Sequence, residues 1–148
     1  MSFEARPATL ADAPAILEMM HDFNRHEAIA FDRESFAPRL ATLVADPTLG
    51  GALVFTVGGA AVGYAIVTFG YDLEYGGRDA FLTELFIVDA ARGQGAGKRA
   101  LAAAEAYARD GGAHALHLLV RHDNASARSL YDGAGYHAEP RVVMTKAL

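Results

Sequence analysis

The chain has 148 residues, 52% of them hydrophobic and 21% charged, with a formal charge of −5 and no cysteine. That length suits one domain with a real core, and the composition is globular rather than disordered. No apolar run approaches the roughly 18 to 20 residues of a membrane span. The acidic balance argues against a phosphate-backbone binder, and the lack of cysteine excludes disulfides, thiolate zinc sites and a thiol nucleophile.

Neither a nucleic-acid nor a membrane partner is expected, and an acidic protein is compatible with cationic substrates. The start, MSFEARPATL, lacks a basic region followed by an apolar one, so no signal peptide is expected and the location expected is cytoplasmic. No repeat, low-complexity tract or linker divides residues 1–148, so a single domain is expected.

Along the chain, FEAR (3–6) reads as a short strand. Thr9 and Asp12 form a T-x-x-D box, and Pro14 suits a first helical turn. Ile16, Met19, Met20 and Phe23 recur at helical spacing and predict one buried face. A second helix is expected over 33–45. ALVFTV (52–57), Gly58-Gly59 and AAVGYAIVTF predict a β-hairpin. Residues 71–79 read as a polar, glycine-rich loop and 80–88 as a long strand. A helix then runs to about Arg109 and stops at DGG. AHALHLLV predicts a strand, 124–131 a short helix and RVVMTKAL (141–148) a last strand. Antiparallel strands followed by β-helix-β-helix-β predict an α/β domain with a mixed sheet.

The stretch ARGQGAGKRA (91–100) has glycine at 93, 95 and 97 between Arg92 and Lys98. A strand-loop-helix junction offers the free amides of a helix start to an anion, and glycine lets a ligand approach the backbone. A Walker A loop ending in Gly97-Lys98 would need glycine at 92 and Ser or Thr at 99, where arginines stand. A dinucleotide fingerprint from Gly93 would need glycine at 98, where Lys stands. A ligand-free turn would leave glycines 95 and 97 each weakening the helix by about 1 kcal/mol without compensation.

What remains, Arg92-Gly93-Gln94-Gly95-Ala96-Gly97, resembles the R-x-x-G-x-G loop that holds the pyrophosphate of acyl-CoA in the GNAT N-acetyltransferase superfamily. The strand LTELFIV before it and a long helix after it fit the same family. So do Asn124 with Tyr131 in ARSLYDGAGY, and the opening RPATLADAPAILEMM. The resemblance covers almost the whole chain. Within the superfamily, RPATLADAPAILEMMHDFNRHE, GYDLEYGGRDAFLTELFIVDAARGQGAG and HDNASARSLYDGAGY look most like the spermidine/spermine (diamine) acetyltransferase branch.

The resemblance implies a single-domain α/β fold with a mixed, largely antiparallel sheet flanked by helices. It implies acetyl-CoA as cofactor, a small amine (diamine, polyamine or amino-acid-like) as acceptor, and a homodimer. Alternatives are acetylation of a protein N-terminus or lysine, and a catalytically silent acyl-CoA sensor. The backbone of Arg92, Gly93, Gln94, Gly95, Ala96, Gly97 and Lys98 would cradle the pyrophosphate, and Leu85, Phe86 and Ile87 would bond the pantetheine arm like an added strand.

Asn124, with Ser126 and Ser129, would contact the cofactor. Tyr131 would protonate the departing thiolate, and Glu84 would take the proton of the amine. Many relatives carry glutamate one position earlier, where this chain has Thr83, and alternation puts 83 and 84 on opposite faces unless a bulge intervenes. His26, Glu27, Tyr71 and Asp72, with Glu74 nearby, are the acceptor-side candidates. The six histidines form no metal signature, and no metal is expected.

Overall fold

The computed structural model describes residues 2–148. Strand β1 (Phe3–Pro7) leads through a short 3₁₀ turn into helix α1 (Ala13–His26). The turn is fixed as its sequence box predicts, with the Thr9 amide donating to Asp12 Oδ2 at 2.8 Å. Arg6 grips the same carboxylate through two 2.8 Å bonds and, chiefly by them, pulls its pKa down to about 2. Helix α1 buries Ile16, Leu17, Met19, Met20 and Asn24, one stripe at helical spacing. Helix α2 (Arg33–Ala45) matches the predicted span and starts on Asp32, whose side chain accepts from the Ser35 amide.

The hairpin forms as β2 (Gly50–Val57) and β3 (Ala60–Asp72) around Gly58-Gly59. The polar segment after it is shorter than the sequence suggests. Strand β3 runs on to Asp72, a 3₁₀ turn occupies Leu73–Tyr75, and β4 (Gly77–Ile87) begins at once. Backbone pairing of Tyr71 with Arg78 and Asp72 with Gly77 extends the ladder into the expected loop. Helix α3 (Ala96–Asp110), β5 (Leu116–Leu118) and α4 (Ala125–Gly133) follow.

The sheet order is β1-β2-β3-β4-β5, antiparallel except for the parallel β4–β5 pair. Two cores lie on its two faces. On one, Phe55, Ala65, Val67, Leu82 and Ile87 pack against Ala100, Leu101 and Ala104 of α3, with Leu130 and Tyr131 of α4 at the margin. On the other, Tyr64, Ile66 and Phe86 pack against Ile16, Leu17, Met19 and Met20 of α1 and Leu40 of α2. Each fully buried Ile or Leu in these layers contributes about 1.5–3 kcal/mol of burial free energy.

Two sequence expectations need correction. The strand predicted over AHALHLLV is only three residues long, because its pairing with β4 stops at Leu82–Leu118. The strand predicted over 141–148 does not form. Residues 137–148 have no regular structure and are all exposed, since strand propensity without a neighbouring strand leaves the backbone to water.

Candidate functional site

The glycine loop joins β4 to α3. Gly93 (φ 82°) and Gly95 (φ 77°) are left-handed, and a Cβ at either would point into open space. Gly95 caps α3 with no side chain bonded to the helix start. The amides of the first turn therefore face outward without a capping partner, under the positive end of the helix dipole. Arg92 turns back on the loop instead of outward. Its Nε donates to the Ile87 carbonyl at 2.8 Å and its Nη1 meets Asp89 Oδ1 at 2.6 Å. Gln94 and Lys98 are exposed, and Ala96 is buried under the loop. At Gly97 a Cβ would sit 3.3 Å from Leu130 Cδ2, so the bare backbone lets α4 lie close to the loop.

Beyond Leu82 and Leu118 the parallel strands diverge, leaving one backbone edge of residues 83–87 unpaired by β5. The Val88 amide donates to the Val62 carbonyl of β3. Antiparallel alternation then turns the backbone of Phe86 toward β3 and that of Leu85 and Ile87 into the split. Of the three residues expected to bond a pantetheine arm, Leu85 offers its main chain there and Ile87 its amide, the Ile87 carbonyl being held by Arg92 Nε, while Phe86 spends its main chain on the sheet. An open strand edge leading to an uncapped helix start suits an extended chain ending in a pyrophosphate.

The register of β4 shifts at one point. Ile66 pairs with Glu84 and Val67 with Leu82, so Thr83 is an extra residue bulged out of the ladder. Its Oγ1 donates to the Ile66 carbonyl at 3.3 Å. Below the bulge Leu82 faces α3. Without the bulge Glu84 would face α3 too, but the extra residue turns it onto the α1–α2 face beside Tyr64. Tyr64, wholly buried, donates to Glu84 Oε1 at 2.7 Å. Burial raises the Glu84 pKa, and the Tyr64 bond pulls against that rise.

Tyr131 lies on α4 and packs against the α3-side core, with Tyr136 edge-on at 5.9 Å. Burial, and then the negative charge of Glu27, raises its pKa, so the phenol stays protonated through neutral pH. Glu27 follows the last residue of α1, and Arg121, in the loop after β5, donates from Nη1 to its carbonyl at 3.3 Å. The end of α1, the β5–α4 loop and α4 thus meet around Glu27 and Tyr131.

His26 is exposed at the end of α1. Asn124 caps α4, its Oδ1 accepting from the Ala127 amide at 3.1 Å, which leaves its amide nitrogen free for a ligand. Ser126 Oγ donates to the same Oδ1 at 3.4 Å, and both Ser126 and Ser129 are exposed.

Tyr71 and Asp72 are not brought to Glu84. They lie five and six residues along β3 from its partner Ile66, about 17–20 Å away at ~3.4 Å per residue. Tyr71 is 78% exposed, Asp72 caps the following turn, and Glu74 is engaged by Arg141. Two residues that shape the site escaped the sequence reading: Tyr64 looks like one more core aromatic and Arg121 like a surface cation, and only their hydrogen bonds give them roles. The bulge that the sequence left open at Thr83 is present in the register.

The description "Acetyltransferase (GNAT) family" belongs to a family model that matches residues 16–136. The chain is 48% identical over 58 residues to the uncharacterized N-acetyltransferase YhfO of Bacillus subtilis (strain 168), a match spanning 39% of either chain. An integron cassette protein from the mobile metagenome of Cole Harbour Salt Marsh superposes with a TM-score of 0.85 at 28% identity, over 97% of this chain and 90% of that one. The aminoglycoside N-acetyltransferase AAC(6')-Iy, solved in complex with CoA, has the same fold at a TM-score of 0.85 and 14% identity, over 99% of this chain and 95% of that one. With a glycine loop, a split sheet and a family match over most of its length, the chain belongs to the acetyltransferase (GNAT) family, a family of acyltransferases that use acetyl-CoA.

Proposed function

We propose that the chain, as one domain, transfers an acetyl group to a small primary amine (a diamine, polyamine or amino-acid-like compound) by direct attack in a ternary complex. It does so in the cytoplasm, as a homodimer. The observation that carries this reading is the bulge at Thr83, which turns the Glu84 carboxylate onto the α1–α2 face beside Tyr64. A half-buried carboxylate with a raised pKa is a suitable acceptor for the proton of an alkylammonium. Glu27 adds a second negative charge beside Tyr131, which fits a cationic acceptor, with His26 at the rim.

Acetyl-CoA, when bound, supplies the thioester carbonyl that the amine attacks. The amides from Gly93 to Lys98 hold its pyrophosphate, with Asn124 as a side contact and Ser126 and Ser129 at the edge. Leu85 and Ile87 align its arm along the split, and a main-chain amide there polarises the carbonyl oxygen. Glu84 takes the proton that frees the amine lone pair. Tyr131 would give its phenolic proton to the departing sulfur, and the second proton, which the nitrogen sheds as the amide forms, would return to the phenolate through solvent. The resemblance to the diamine branch supports the small-amine acceptor and the homodimer, and the lack of cysteine supports direct attack.

The test is release of free thiol from acetyl-CoA across a panel of diamines, polyamines, amino acids and lysine-bearing peptides. Turnover is expected with a small amine. Turnover with peptides alone would make it a protein acetyltransferase, and binding of acetyl-CoA without any turnover would make it a sensor. Tyr131→Phe is expected to slow turnover by about 10²-fold at neutral pH, and full activity would remove Tyr131 from the proton path.

A further inference from the structure

A pocket of ≈ 420 Å³ opens at the end of α3 remote from the glycine loop. Its walls are Phe69 of β3, Arg78 of β4, and Tyr107, Asp110 and Gly111 at the end of α3, with Thr48 from the turn before β2. Tyr107 stands eleven residues along α3 from Ala96, about 16 Å at ~1.5 Å per residue. Arg78 lies opposite Tyr71 in the β3–β4 ladder, and so on the same face of the sheet as Phe69, two residues before Tyr71. Its guanidinium carbon sits 4.1 Å from the centre of the Phe69 ring. Phe69 in turn stacks on Tyr107, with ring centres 6.0 Å apart and planes at 14°.

Two polar groups at this pocket have nothing to bond. Arg6, Arg92 and Arg141 each hold a carboxylate. Arg78 holds none among the described residues, and its Nε is shut off from solvent without a hydrogen-bond partner. Buried donors in folded proteins are nearly always partnered, so this one is an exception to be explained. The Tyr107 hydroxyl likewise bonds no group among the described residues. It rests on bare backbone at Gly51, where a Cβ would collide with it. Burial raises the Tyr107 pKa and the Arg78 charge pulls against that rise, so the phenol is a protonated donor within the field of the guanidinium. A cation and a phenol without acceptors, beside two stacked rings, suit an anion carried on a flat apolar body.

We propose that this pocket binds a small monocarboxylate with an aromatic or flat apolar body, at a site separate from that of acetyl-CoA. The carboxylate accepts from the Arg78 guanidinium and the Tyr107 hydroxyl, and the body lies against the rings of Phe69 and Tyr107. A singly charged head suits the pocket better than a phosphate, because Asp110 also lines it and the chain carries a formal charge of −5. A cationic head is repelled by Arg78. The site lies beyond the acetyl transfer proposed above and does not depend on which amine accepts the acetyl group.

The probes are hydrocinnamate, inorganic phosphate and phenethylamine, which carries the same ring and chain with a cationic head. Each is titrated into the full chain and followed by amide chemical shifts. Hydrocinnamate is expected to move the amides of Thr48, Arg78, Gly111 and Gly112 with a Kd of about 1 mM. Saturating acetyl-CoA should leave that Kd within about twofold, as for independent sites. Tyr107→Phe keeps the ring stack and loses only an unbonded hydroxyl, so the melting temperature should hold while the Kd rises roughly threefold to tenfold. Arg78→Gln should raise the Kd about tenfold or more, and Arg78→Lys, which keeps the charge but not the fork, by less. Phenethylamine should leave those amides unmoved, and phosphate should bind more weakly than hydrocinnamate. Shifts confined to residues 93–98 and erased by acetyl-CoA would put the carboxylate on the anion loop and overturn the separate site. Phosphate or phenethylamine matching hydrocinnamate at the pocket amides would overturn the ligand class. A Kd untouched by both Tyr107→Phe and Arg78→Gln, or no shift at all at millimolar hydrocinnamate, would overturn the proposal outright.

Discussion

Tyr64 donates its phenolic proton to Glu84 Oε1 across 2.7 Å, from a side chain wholly buried between β3 and α1. The bond stabilises the ionised carboxylate against the burial that raises its pKa. Tyr64→Phe removes only that bond, so the Glu84 pKa should rise further. Glu84 must be ionised to accept a proton, and the rate falls as pH drops below its pKa. A hydrogen bond to a charged group, about 1.5–3 kcal/mol, corresponds to roughly one to two pH units. The acid limb of kcat should therefore move up by at least about one pH unit, with the KM for acetyl-CoA unchanged. An unshifted pH–rate profile would mean that Tyr64 fills space without tuning the base.

Glu84→Gln separates chemistry from stability. The amide keeps an oxygen for the Tyr64 hydroxyl but takes no proton, so turnover should fall by about 10²–10⁴-fold. Stability should move the other way. The folded-state pKa of Glu84 is raised above its usual 4.5, so the folded protein binds the proton more tightly than the unfolded chain. The stability this gives is complete below pH 4.5 and is lost as pH rises through the folded-state pKa. Thermal melts should show the Gln variant gaining on the wild type from pH 4.5 upward and levelling off once pH passes the raised folded-state pKa. An advantage constant with pH would exclude Glu84 as its source.

The contrast between Glu84 and its surroundings shows what the sequence reveals. Helix α2 and the hairpin are legible because capping residues, apolar spacing and Gly58-Gly59 are local signals. The glycine loop is legible because an anion site at a helix start needs bare backbone at fixed positions. The bulge at Thr83 is legible only as an open condition, since whether it forms is a property of the register between two strands. The Tyr64–Glu84 bond spans 20 residues and leaves no mark on either segment. Tyr71 and Asp72 suggest a site by being acidic and aromatic near Glu84 in sequence. An extended strand converts that nearness into about 17–20 Å of distance. The tail reads as a strand because propensity is local, while pairing requires a neighbouring strand set alongside it.

Gly95 tests the anion loop. Its φ of 77° is left-handed, and nothing lies within 4 Å of a Cβ built on it. Gly95→Ala therefore meets no clash in the protein and costs about 1–2 kcal/mol of backbone strain. The methyl does intrude on the space in front of the uncapped amides of α3. The KM for acetyl-CoA should rise about tenfold or more, beyond what the lost stability explains at assay temperature. If melting temperature falls while KM stays put, the loop does not hold the cofactor.

Ala28 ends α1 in the left-handed region at φ 56°, the one non-glycine residue with positive φ among those described. The helix end is built around it, with the Ile29 amide donating to the Asn24 carbonyl at 2.9 Å and the Ala28 amide to that of Arg25 at 3.3 Å. Glycine is the usual residue at this position because it lacks the Cβ that meets the carbonyl oxygen. Ala28→Gly should relieve that strain by more than glycine gains in unfolded freedom, for a net stabilisation of about 0.5–1 kcal/mol. For a chain of this length that is about 1.5–3 °C in melting temperature. Glu27, next in the chain, should stay in place because Arg121 Nη1 also holds its carbonyl at 3.3 Å. The KM for the amine should therefore stay within about twofold, that bond being worth roughly 0.5–1.5 kcal/mol and remaining intact. A higher melting temperature with a much weaker amine KM would show that the strained alanine itself positions Glu27.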